Sequence, residues 1–149
     1  MSQSGITAFD STIHTTNVWL QDLMDRLGWA DRHRAYLALR AVLHALRDRL
    51  TVEEAADLAA QLPMLVRGFY YEGWHPHGKP LKQRKKEEFL AHVAQAFHDG
   101  PCVDPERLTR AVFQVLAEHV TAGEIEDVKS SLPADIRALW PRGDHEPVT

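Results

Sequence analysis

The chain has 149 residues, 44% hydrophobic and 26% charged, with 8 Gly, 8 Pro and one Cys. That fits one ordinary folded domain and excludes wholesale disorder, an internal disulfide framework and a Cys-rich zinc or iron–sulfur centre. A net charge of -4 gives no global attraction for nucleic acid or anionic membrane. No apolar run approaches a membrane span, and the first residues lack the basic and apolar regions of a signal peptide, so a cytoplasmic location is expected.

Residues 1–16 are expected to form an N-terminal arm and 17–140 a single helical domain. Leu20, Leu23, Met24 and Leu27 follow the i, i+3, i+4, i+7 rule, and Gly28 can close that helix in a left-handed conformation. Asp31 can cap a second helix whose apolar stripe is Leu39, Val42, Leu43, Leu46 and Leu50. Thr51-Val-Glu-Glu54 reads as a capping box, in which the Thr hydroxyl accepts from a free N–H and the Glu reaches back to the Thr amide. Leu62-Pro63 breaks the pattern, and a short closing helix follows near 63–70.

The same series returns 70 residues later. Trp19–Tyr70 aligns without a gap on Phe89–Trp140, with 11 identical pairs in 52 positions. Roughly 3 to 5 would arise by chance at ordinary composition. Thr121-Ala-Gly-Glu124 repeats the box, Leu132-Pro133 repeats the break, and Asp57/Asp127 and Arg67/Arg137 recur around it. The expected fold is all-α: a compact bundle of two tandem pseudo-symmetric four-helix repeats, 19–70 and 89–140, with steep, globin-like crossings. Residues 71–81 form the inter-repeat loop and 141–149 a flexible tail.

The run Leu39–Leu50, the Glu54–Pro63 corner, Phe69-Tyr-Tyr-Glu-Gly-Trp74 and Glu87-Glu-Phe-Leu90 together resemble the bacterial domain of unknown function 2267 family over roughly 17–140. The resemblance implies a small, all-helical, bacterial cytoplasmic protein. It brings no catalytic residue, cofactor or substrate.

The residues that do not repeat are the natural candidates for function. Tyr70, Tyr71 and Trp74 give the inter-repeat segment an aromatic wall, and Lys79, Lys82, Arg84, Lys85 and Lys86 follow with five positive charges in eight residues. This is the expected contact surface of a non-enzymatic binding or assembly module, with aromatic anchors and cations that orient a protein partner or a second copy. The bland readings are rings that anchor the loop to the core, and a charge run partly neutralised by Glu87 and Glu88. A phosphate-bearing ligand or single-stranded nucleic acid would suit the same chemistry, but the acidic second half disfavours nucleic acid.

His75 and His77 could ligate a zinc or copper ion completed by Glu72 or by one of His92 and His98, as an alternative small-ligand or metal-binding reading. A third reading is an enzyme with a cleft between the repeats. Asp57/Asp127 and Arg67/Arg137 read as a repeated salt bridge or carbonyl clamp. The alternative is a carboxylate pair meeting between the copies and raising one pKa. Cys102 has no His–Asp constellation around it in sequence, and no cofactor is expected.

Overall fold

The computed structural model describes residues 4–82, 84–97 and 103–142. Eight α-helices and no strand occur among them: α1 Thr7–Leu27, α2 Arg32–Arg47, α3 Val52–Ala60, α4 Met64–Tyr71, α5 Lys86–Ala96, α6 Pro105–His119, α7 Ala122–Ser130 and α8 Ala134–Arg137. His98, Cys102 and tail residues 143–149 lie outside the described residues.

Helix α1 starts at Thr7, so residues 7–16 are helix rather than arm. The reason is a stripe at alternating spacings of three and four: Ile6, Phe9, Ile13, Thr16, Leu20, Leu23 and Leu27. The intervening Ser and Thr residues hide it, because they lower helix propensity without breaking the period. Ile6 at the N-cap offers no side-chain cap, and Ser4 Oγ donates to Asp10 Oδ1 in the first turn at 2.8 Å. At the other end Gly28 takes φ 70°, which a side chain would strain.

The expected stops and starts are present. Asp31 accepts from Arg34 N, Thr51 from Glu54 N, Asp104 from Glu106 N and Thr121 from Glu124 N. Both proline corners are carbonyl clamps rather than ion pairs with Asp57 or Asp127. Arg67 donates to Ala59 O and Leu62 O, each at 3.0 Å, and 70 residues on Arg137 donates to Lys129 O at 2.9 Å and Leu132 O at 2.8 Å. Each guanidinium takes up carbonyls left over at the end of a helix.

The two halves interlock. Helix α1 packs on α2, α4 and α6; α2 also meets α5 and α6; α3 meets α7. Leu39, Val42, Leu43, Leu46 and Leu50 are fully buried, as are Val112, Phe113, Val115 and Leu116 of α6. Arg107 donates to Leu27 O, and Arg26 to Gln114 Oε1, tying the first helix to the sixth.

Candidate functional site

The segment between the halves is built into the fold more than it is presented by it. Tyr70 is fully buried, and its hydroxyl donates to Ala55 O at 2.8 Å, so it cannot contact a partner. Tyr71 and Trp74 are half-buried and packed against the core, with rings 5.4 Å apart. Arg84 donates to Arg49 O at 2.9 Å and to Ser131 O at 2.7 Å, joining the end of α2 to the end of α7 instead of pairing with Glu87 or Glu88. Lys86 pairs with Glu106 at 2.9 Å, while Lys79 is half-buried and Lys82 and Lys85 are exposed. The expected aromatic and basic patch therefore loses Tyr70, Arg84 and Lys86 to the interior and to pairing.

His75 and His77 are exposed, and Glu72 pairs with Arg40 at 3.2 Å. Among the described residues no group of three His, Cys, Asp or Glu is placed to hold a metal. His92 is instead held against the buried Arg49 guanidinium, 2.9 Å from its Nδ1. An arginine N–H only donates, so Nδ1 accepts and the imidazole is neutral. Burial first, and then the Arg49 charge, hold its pKa below the ordinary histidine value.

A surface that the sequence reading left aside is the start of α1 with α4. Ile6, Phe9 and Ile13 continue the buried stripe of α1 but are 48%, 46% and 41% exposed, and beside them Met64 and Leu65 are 49% and 45% exposed. Thr12 Oγ1 accepts from Leu65 N at 3.0 Å and fixes α4 across α1. Next to that crossing, Ile13, Thr16, Leu20, Tyr36, Leu65 and Phe69 line a groove of about 540 Å³. Thr16 is 5% exposed, and its hydroxyl has no hydrogen-bond partner. The spacing of the apolar residues before Thr16 is the signal that would have found this face.

The sequence profile described as an uncharacterized conserved protein (DUF2267) matches residues 16–139, nearly the whole helical part. The chain belongs to the DUF2267 family. No curated protein matches it. Among the described residues of this DUF2267 chain, no helix is long and apolar enough to cross a membrane.

One more polar constellation lies where α3 meets α7 in the DUF2267 fold. Only half of each capping box forms: the threonine accepts, but the glutamate turns away from the threonine amide toward its counterpart 70 residues away. Glu54 Oε1 and Glu124 Oε2 are buried without a hydrogen-bond donor, and the two carboxyl groups face each other closely enough for one proton to bridge them. Burial, the Glu54 hydrogen bond and the charges of Glu54, Asp127 and Asp57 push Glu124 up to about 7. The alternative reading of Asp57 and Asp127 as a carboxyl pair between the halves does not hold at those residues; the pair is Glu54 and Glu124, one turn earlier, with both aspartates near enough to add their charge.

The sign of its effect follows. Glu124 holds its proton more tightly folded than unfolded, so the stabilisation is complete below about pH 4.5 and is lost as pH rises through about 7. Solvent screening at this half-buried position limits the effect to about 1 kcal/mol. Glu124→Gln is therefore expected to be the more stable protein at pH 8 by about 1 kcal/mol, with the gap closing toward pH 5. Urea midpoints at four pH values read this directly, and a gap that does not vary with pH would refute it.

Proposed function

We propose that this DUF2267 chain is a non-enzymatic docking module that holds an amphipathic helix of a protein partner against α1 and α4. The observation that carries the reading is the stripe of α1, which stays on one face for its whole length but loses its cover before Thr16. A helix stripe is apolar because something packs on it, and its partners in the fold are other helices. The groove beside Leu65 and Phe69 has the same apolar character. Docking is thus assigned to α1 and α4 rather than to 69–86, whose strongest anchors, Tyr70 and Arg84, are engaged inside the protein.

A synthetic neutral peptide with Leu at i, i+3, i+7 and i+10 tests this by fluorescence anisotropy against the full chain. Saturable binding is expected, weakened roughly tenfold or more by Leu65→Glu with helical circular dichroism retained. Absence of saturable binding, or binding indifferent to Leu65→Glu, removes the reading.

A further inference from the structure

We infer that the helix docked on this face is α1 of a second copy of this chain, in a twofold-symmetric dimer. This deepens the docking reading and rests on it. The face carries both halves of a self-complementary contact. Ile6, Phe9 and Ile13 project as a ridge, and the groove bounded by Leu65 and Phe69 lies directly beside them. A twofold operation presents one copy's ridge to the other's groove and closes both contacts at once.

Charge favours a like partner. In a twofold contact every group meets the surroundings of its own image, so a face with free charge of one sign repels itself. Here the charges are few and of both signs: Glu72 at the groove end is paired with Arg40, and Asp10 and Arg67 are opposite in sign. The remaining surface of α1 before Asn17 is uncharged apart from His14.

The area is sufficient. Ile6, Phe9, Ile13, Met64 and Leu65 together expose roughly 500 Å², close to the apolar share of the ~800 Å² per partner in a standard-sized interface.

Sedimentation equilibrium of the full chain over a wide concentration range tests the inference. A reversible monomer–dimer equilibrium is expected, with the dissociation constant raised at least roughly tenfold by Phe9→Glu. Leu65→Glu on α4 gives an independent reading should Phe9→Glu lose helicity. A chain that stays monomeric yet binds the synthetic peptide overturns the second copy and leaves the docking reading standing. A monomer that also ignores the peptide overturns both. A dimer indifferent to both glutamate variants overturns the proposed face.

Discussion

Replacing Arg47 with alanine is expected to destabilise the fold by about 3 kcal/mol. Arg47 is 4% exposed at the end of α2, where Nη1 donates to Tyr70 O and to Glu72 O, the latter at 2.7 Å, and Nε donates to Asp48 Oδ1 at 3.1 Å. Helix α4 ends in a turn through Glu72 and left-handed Gly73 in which Trp74 N donates to Tyr71 O, and this guanidinium answers the neighbouring carbonyls of Tyr70 and Glu72. Alanine would strand those oxygens beside a void. Lysine is expected to recover little, because a compact ammonium cannot span three acceptors that the planar fork meets together. Urea unfolding measures the loss. A change below about 1 kcal/mol, the worth of a typical exposed pair, would show that the carbonyls find other partners.

Trp140→Ala is expected to cost about 3 to 4 kcal/mol, read from the same unfolding curves. Its ring lies 4.0 Å from that of Phe113 at an interplanar angle of 11°, and only 5% of the residue is exposed. Beside Trp140, the short helix α8 is held down by buried Ile136 and Leu139 and by the Arg137 clamp. Trp140→Phe should cost far less, because Trp140 Nε1 is buried without a partner and its removal breaks no hydrogen bond. Tyr70, the corresponding residue 70 positions earlier, is the opposite case. Its hydroxyl satisfies Ala55 O, and burial raises its pKa well above the ordinary tyrosine value, so it stays a neutral donor.

What the sequence made legible was whatever is settled within a turn or two of chain. Gly28, Asp31, Thr51 and Thr121 act where their spacing put them, because caps answer to neighbours within one turn of chain. The clamp reading of Arg67 and Arg137 succeeded for the same reason: the carbonyls they reach are five and eight residues distant. Arg84 was opaque. Its acceptors lie 35 and 47 residues away, and nothing local distinguishes a cation that will reach them from one that stays in water. Tyr70 was misplaced because aromatic composition does not say which of two adjacent rings turns inward. The Glu54–Glu124 pair was not read from the sequence, where both glutamates looked like capping-box residues, since the register between α3 and α7 is a tertiary matter. The exposed ridge on α1 was readable in principle, but its period was obscured by serine and threonine.

The bonding of α1 to α6 has a bearing on how the protein is made. Arg107 reaches Leu27 across 80 residues, and His119 reaches Asp22 across 97. Helix α1 leaves the ribosome well ahead of α6 and therefore lacks one wall of its binding site until that helix has followed. At ordinary synthesis rates of 5–20 residues per second that delay is roughly 4 to 20 s. Throughout it the apolar side of α1, Trp19 included, is open to chaperones, and to the same side of another nascent chain.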